Sequence, residues 1–317
     1  MSTDETQVTA LLPRDSRIAL VGAGRMGLPI SRTLVGAGFE VVVTDLRAEV
    51  AEAVAETGAR WSAEASEAAD GADIVITVMP GTPELQDLMA GSAPLLDALA
   101  VGTTWIDMTS ASPLIMKPIQ DAARARGVAV LEAPMGGGPA AAAAGTLRLF
   151  VGGEPATFRR VRPVLEAIAD SEHIKLVGGP GLGYTAKLLV NLLWFGQAVA
   201  TAEAMLLGQA AGLDVEALRA LLADSAAGSE FLRHDLPRVL AGDYLPLFGL
   251  DRCTEELEAV TELFRTFAVP SDLSRVVTRV HQRALARFGP VDGELMAVAL
   301  LEELTGTRLR SGSRKVV

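Results

Sequence analysis

A chain of 317 residues has room for two domains of roughly 150 residues each, and with 50% of its residues apolar it can bury a large core, which excludes a globally disordered protein. Its formal net charge of −11, from 28 basic against 39 acidic residues, argues against a nucleic-acid partner, because phosphate binding draws on clustered Lys and Arg. The single cysteine, Cys253, excludes an intramolecular disulfide and suits a reducing cytoplasm, and His173, His234 and His281 are too scattered to give metal-ligand spacing.

In chain order, residues 1–13 open acidic, lack the basic start and apolar core of a signal peptide, and read as a disordered lead-in. From 14 to 177, short β-branched runs alternate with helical stretches, the pattern of a parallel sheet covered on both faces. Strands are expected at Arg17–Val21, Glu40–Thr44, Asp73–Val78, Thr103–Asp107, Val128–Glu132, Leu147–Val151 and His173–Val177. Helices are expected between them at Met26–Val35, Ala48–Glu56, Pro113–Arg126 and Pro155–Ala169. The alanine run from Pro139 to Gly145 reads as a loop running into a helical turn.

A glycine cluster from Gly178 to Gly183 then opens an apolar helix from about Tyr184 to Ala211. Beyond it there is helical periodicity and no convincing strand, so an α/β domain over 14–177 is followed by an all-α domain over 178–310 and a disordered tail over 311–317. The apolar stretch Leu188–Leu213 is interrupted by Asn191, Gln197, Glu203 and Gln209. A membrane span needs about 18 nearly unbroken apolar residues, so a helix buried by protein is expected, with no membrane partner. Its apolar residues run nearly all round, more than one small domain covers, which implies homodimerisation through this domain. Cys253, with no His or Asn beside it, reads as a buried structural thiol.

The first strand runs into Gly22-Ala23-Gly24-Arg25-Met26-Gly27, a GxGxxG spacing followed by a helix. Gly22 permits the tight turn, Gly24 lets backbone approach a pyrophosphate, and Gly27 lets helix and strand pack closely. The helix N-terminus presents free N–H groups and a positive dipole end to phosphates. Asp45, at the end of the second strand, is placed to accept hydrogen bonds from the adenosine ribose and to repel a 2′-phosphate, which favours NAD over NADP. Leu46 and Arg47 follow it; Arg47 is either a grip on that phosphate or a solvated residue at a helix start. Met79, Pro80 and Thr82 either line the nicotinamide side or form an ordinary strand-to-helix turn.

Thr109 and Ser110, after the strand ending at Asp107, offer hydroxyls to a substrate or to a helix cap. Gly136, Gly137 and Gly138 expose backbone amides as a carboxylate cradle, or form a flexible turn. Lys187 and Asn191 stand at i and i+4, on one face of the apolar helix. Hydride transfer from an alcohol carbon needs a group to take the hydroxyl proton. Lysine can take that role with the amide holding lysine or substrate; a snorkelling lysine beside a packing amide is the alternative.

Taken in order, four segments resemble the β-hydroxyacid dehydrogenase family, which includes 3-hydroxyisobutyrate dehydrogenase and tartronate semialdehyde reductase and is related to 6-phosphogluconate dehydrogenase. They are Gly22–Leu34, Asp107–Pro113, Glu132–Pro139 with Gly145–Leu147 and Val151–Gly153, and Gly181–Asn191. The resemblance, over about residues 16–305, implies a doubly wound Rossmann domain, a helical C-terminal domain building dimers or tetramers, and hydride transfer between NAD (or NADP) and a small 2- or 3-hydroxy acid or semialdehyde. It implies Lys187 as the catalytic lysine, Asn191 as its partner, and Thr109 and Ser110 as the hydroxyl pair contacting substrate and cofactor. This chain departs from the family in two places. Met135-Gly136-Gly137-Gly138 stands where Val-Ser-Gly-Gly is usual, and Glu255-Glu256-Leu257 stands for Lys-Asp-Leu; the resemblance implies that the family lysine approaches the nicotinamide edge, where Glu255 would reverse the charge. The alternatives are an imine reductase of similar fold, which generally lacks the lysine at position 187, and a cofactor-binding sensor without turnover.

Overall fold

The computed structural model describes residues 11–13 and 16–311. The lead-in expected over 1–13 and the tail expected over 311–317 therefore lie largely outside the described residues. Leu12 is described and buried, its N–H donating to the Arg160 carbonyl. Two compact units divide the chain, Met1–Lys187 and Leu188–Val317.

The first unit is a nine-stranded sheet: β1 Arg17–Val21, β2 Glu40–Thr44, β3 Arg60–Trp61, β4 Ile74–Thr77, β5 Thr104–Asp107, β6 Ala129–Glu132, β7 Met135–Gly136, β8 Leu147–Gly153 and β9 Ala169–Gly178. The order is β3-β2-β1-β4-β5-β6-β8-β7, with β9 pairing β8. From β3 to β6 every pair is parallel, the doubly wound arrangement; β8 then runs antiparallel to β6 and β7 and parallel to β9. Strand residues alternate between two cores. Ile18 and Leu20 pack with Ile30 and Leu34 of the helix Gly27–Gly36 and with Val161, Val164 and Leu165 of Pro155–Ile168. Ala19 and Val21 pack on the opposite face with Leu85 and Met89 of Thr82–Ala90 and with Met116 and Ile119 of Pro113–Ala125.

Three local expectations are corrected. β3 and β7, two residues each, were not anticipated, and β9 starts at Ala169 rather than His173. The alanine run is the helix Gly138–Ala144, closed by Gly145 at φ +67°, because alanine favours helix even where no apolar period announces it.

The long helix Leu182–Ala210 begins in the first unit and continues through the second. By length and composition alone it is apolar enough to cross a membrane. Within the second unit Ala198, Ala202, Met205 and Leu206 form its core stripe, packed with Phe231, Leu236, Val239 and Leu295. Leu189, Val190, Leu193 and Leu207 stay exposed. Among the described residues the second unit contains helices and no strand of the sheet. Cys253 is buried as expected, and burial pushes its thiol pKa well up.

His281 of the helix Asp272–Phe288 is buried against Phe195, ring centroids 5.0 Å apart, with Nδ1 3.0 Å from the Val277 carbonyl and Nε2 without a partner among the described residues. Burial pushes its pKa down to about 4 from 6.5. Between those values the unfolded chain binds a proton that the folded unit refuses, so stability is lost as pH falls from 6.5 towards 4. His281→Leu should remove this dependence. The difference in unfolding free energy between wild type and variant, from urea titrations at pH 7 and pH 4, should change by about 3 kcal/mol. A constant difference would mean that the ring is not held neutral.

Candidate functional site

At the end of β1 the chain makes the turn that its glycines require. Gly22 has φ +105°, and a Cβ there would lie 2.3 Å from the Val78 carbonyl oxygen. A Cβ on Gly27 would lie 1.8 Å from the Gly22 carbonyl oxygen. Gly24 differs from both: among the described residues nothing lies within 4 Å of its Cβ position. The helix that follows has no acidic residue in its first turn, so its dipole end stays open to an anion. Arg25 is exposed and Met26 half-buried beside this opening. Open space over one glycine, two glycines demanded by backbone contact, and an unopposed helix N-terminus fit a dinucleotide pyrophosphate.

Asp45 closes the same corner. Its Oδ2 accepts from Ala23 N–H at 2.8 Å and from Arg47 Nη2 at 3.0 Å, while Oδ1 accepts from Arg47 N–H and Nε, both at 2.9 Å. Burial opposes ionisation of Asp45, but the bonds from Arg47 and Ala23 outweigh it and hold the pKa below the usual range. Arg47 is exposed, and its guanidinium forks onto the Asp45 carboxylate. Leu46 is fully exposed between them.

At the ends of β4 and β5 the two expected hydroxyls part company. Thr109 is buried; its Oγ1 donates to Asp107 Oδ1 at 2.8 Å and accepts from Met79 N–H at 3.1 Å. That hydroxyl ties the chain ends that follow two strands, β4 and β5, together. Ser110 is half-buried, and its hydroxyl has no protein partner among the described residues. Met79 is half-buried and Pro80 exposed, whereas Thr82 is buried with its hydroxyl accepting from Ser112 N–H at 3.0 Å. The Thr82 hydroxyl therefore braces the loop.

Gly137 and Gly138 take φ +109° and +69°, and Gly137 leads into the alanine helix. At Gly136 a Cβ would meet only Phe150 and Arg148, at 3.8 and 3.9 Å, so no backbone contact demands glycine there. Lys187 and Asn191 are half-buried on successive turns of the long helix. In the second unit Asn191 Nδ2 donates to Glu256 Oε2 at 2.5 Å, which gives the amide a carboxylate partner that spacing did not reveal. Glu255 pairs with Arg252 one turn earlier, 3.1 Å apart, so its charge comes with a cation from its own helix.

Sequence reasoning missed two buried acids of the first unit. Asp107 is fully buried, accepts from Thr77 Oγ1 at 2.6 Å and Tyr184 Oη at 2.5 Å, and has its pKa pushed up to about 6 by burial against those bonds. Glu132, at the end of β6, is also buried and raised, again by burial. The available signal was position: an acid at the carboxyl end of a parallel strand.

Two family models cover most of the chain. One for the NAD binding domain of 6-phosphogluconate dehydrogenase matches residues 17–179, and one described as NAD-binding of NADP-dependent 3-hydroxyisobutyrate dehydrogenase matches 181–301. An NAD-dependent L-serine dehydrogenase of Pseudomonas aeruginosa is 36% identical over 67% of this chain and 71% of that protein. A 3-sulfolactaldehyde reductase of Escherichia coli is 30% identical over 85% and 90%. Among solved structures, a Mycobacterium tuberculosis 3-hydroxyisobutyrate dehydrogenase with L-serine superposes with a TM-score of 0.81 at 28% identity, covering 90% of this chain and 99% of that one.

Proposed function

From the premise that this chain belongs to the β-hydroxyacid dehydrogenase family, we propose that Lys187 is the proton donor and acceptor of its reaction. The protein is an NAD(P)-dependent oxidoreductase acting on a hydroxyl group of a small hydroxy acid, or in reverse on the matching carbonyl. The observation that carries the Lys187 reading is the placement of the lysine's helix. Its start is bonded to Glu132 at the carboxyl end of β6, the sheet edge where Thr109 and Ser110 follow β5 and where doubly wound sheets bind ligands.

When bound, the reduced nicotinamide supplies the hydride that the carbonyl carbon accepts. Lys187 Nζ gives its proton to the carbonyl oxygen, completing the alcohol, and takes one back in the oxidative direction. Ser110 and the amides of Gly136, Gly137 and Gly138 hold the substrate carboxylate, and Asn191, anchored by Glu256, steadies the lysine face one turn on. The relatives' names point to small substrates of three or four carbons such as L-serine, 3-hydroxyisobutyrate or sulfolactaldehyde. NADH and NADPH oxidation, followed by absorbance with semialdehydes, 2-oxo acids and cyclic imines, tests the reading. Turnover confined to imines would move the assignment to an imine reductase, and tight cofactor binding without turnover to a sensor.

NAD is the preferred cofactor, because the Asp45 carboxylate lies where a 2′-phosphate would be repelled. Asp45→Ala should weaken NADH about tenfold, the scale of one lost charged hydrogen bond, while NADPH, received by the freed Arg47, holds or gains. Unchanged affinities for both would remove the ribose role. The exposed Leu189, Val190, Leu193 and Leu207 support a homodimer or homotetramer through the C-terminal unit. Sedimentation at the monomer mass would dismiss it. A cytoplasmic location suits the nicotinamide chemistry and the single buried thiol, and fractionation is its check.

A further inference from the structure

The start of the long helix is held by a buried carboxylate in a way that ordinary capping does not require. A capping side chain usually accepts one or two backbone N–H bonds. Glu132 takes four donors. Its Oε1 accepts from Gly181 N–H at 2.6 Å and Gln120 Nε2 at 3.0 Å, and its Oε2 from Gly183 N–H at 3.0 Å and Tyr184 N–H at 3.3 Å. No side chain separates the helix from the sheet here. A Cβ on Gly183 would lie 2.7 Å from both the Gly152 nitrogen and the Phe150 carbonyl oxygen, and one on Gly152 would lie 2.4 Å from the Gly183 nitrogen.

Tyr184 adds a second anchor. Its phenol donates to Asp107 Oδ2 at 2.5 Å and accepts from Gln120 Nε2 at 3.3 Å. Asp107 also binds the Thr109 hydroxyl and, through it, Met79. The ends of β5 and β6 therefore grip one helical turn together. Lys187 lies four residues beyond Gly183, about 6 Å further along the axis, so a shift of the gripped turn moves it directly.

We propose that Glu132 is a positioning residue for Lys187, setting the height and angle of the helix start above the sheet edge so that Nζ meets the substrate oxygen, with Tyr184 and Asp107 as the second point of the mount. This rests on the reading of Lys187 as proton donor. The isosteric Glu132→Gln must turn its amide group towards backbone N–H donors in either orientation, because each carboxylate oxygen now accepts at least one of them. An offset of about 1 Å at a reacting group can cost 10²-fold in rate.

The experiment uses the full chain with Glu132→Gln, Tyr184→Phe and Lys187→Ala, each checked for folding by thermal melting. kcat, KM for NADH, the kcat pH profile and the primary isotope effect with 4-deuterated NADH are then measured. Glu132→Gln should lose about 10- to 100-fold in kcat with KM for NADH nearly unchanged. Its isotope effect should rise, and its pH profile should shift in the limb that vanishes in Lys187→Ala. Tyr184→Phe, which leaves the Glu132 bonds in place, should lose less, about three- to tenfold. A lower melting temperature with kcat, isotope effect and pH profile unmoved in both variants overturns the proposal. If Glu132→Gln does not fold, the same null result in Tyr184→Phe alone overturns it. Undiminished turnover in Lys187→Ala would instead bring down the catalytic reading, and this inference with it.

Discussion

Lys187→Ala should turn over at about one hundredth of the wild-type rate or less, the usual scale for lost acid–base help, while binding NADH with unchanged affinity. The separation follows from the structure. The residues that fit the dinucleotide are Gly22, Gly24, Gly27 and Asp45, at the ends of β1 and β2, whereas Lys187 sits on a helix bonded to the end of β6. Truncating the lysine to its Cβ leaves the helix start intact, because the bonds that hold it come from Gly181, Gly183 and Tyr184. A half-buried position also limits the packing lost. Lost turnover should therefore appear in kcat, not in NADH binding or the melting temperature. Small primary amines added to the variant should restore part of the rate if the missing group is a proton donor. Near-normal turnover, or loss through unfolding alone, would return Lys187 to the snorkelling alternative.

What could be read from the sequence depended on how far each residue's partners lie along the chain. The glycine turn was legible because strand, glycines, helix and Asp45 follow within thirty residues and each glycine answers a local demand. The core strands were legible from their β-branched runs, and their alternation with helices announced a parallel sheet covered on both faces. β3 and β7 were not, because two residues show no period. Lys187 and Asn191 were legible as a pair because a helix repeats every 3.6 residues. The partner of Asn191 was not: Glu256 lies 65 residues away. The same holds for the acids. Asp107 reaches Tyr184 across 77 residues and Glu132 reaches Gly183 across 51, and no local pattern tells a buried carboxylate from a solvated one. Thr109 and Ser110, adjacent in sequence, looked equivalent; only the strand end that places one over Asp107 and leaves the other open distinguishes them.

The glycines of the turn divide into those the protein needs and one the ligand needs, and two alanine substitutions separate them. Gly27→Ala puts a methyl 1.8 Å from the Gly22 carbonyl oxygen and 2.9 Å from its carbon. Both are main-chain atoms of a turn that Gly22, at φ +105°, already constrains, so neither can swing aside as a side-chain tip would. Relief requires the helix to move off the strand. Overpacking of this kind costs about 1–3 kcal/mol, so the apo protein should melt roughly 3–10 °C lower, with NADH affinity down at least about 100-fold because the helix N-terminus no longer faces the phosphates. Gly24→Ala is the opposite case. With nothing within 4 Å of the added methyl, the apo protein should melt as the wild type does. NADH affinity should still fall, by about tenfold or more, because a pyrophosphate needs the bare backbone at that residue. Isothermal titration with NADH and melting of the apo proteins read both effects. An unchanged NADH affinity in Gly24→Ala would mean that the cofactor does not pass over this turn, and an unchanged melting temperature in Gly27→Ala would mean that helix and strand are not packed as closely as described.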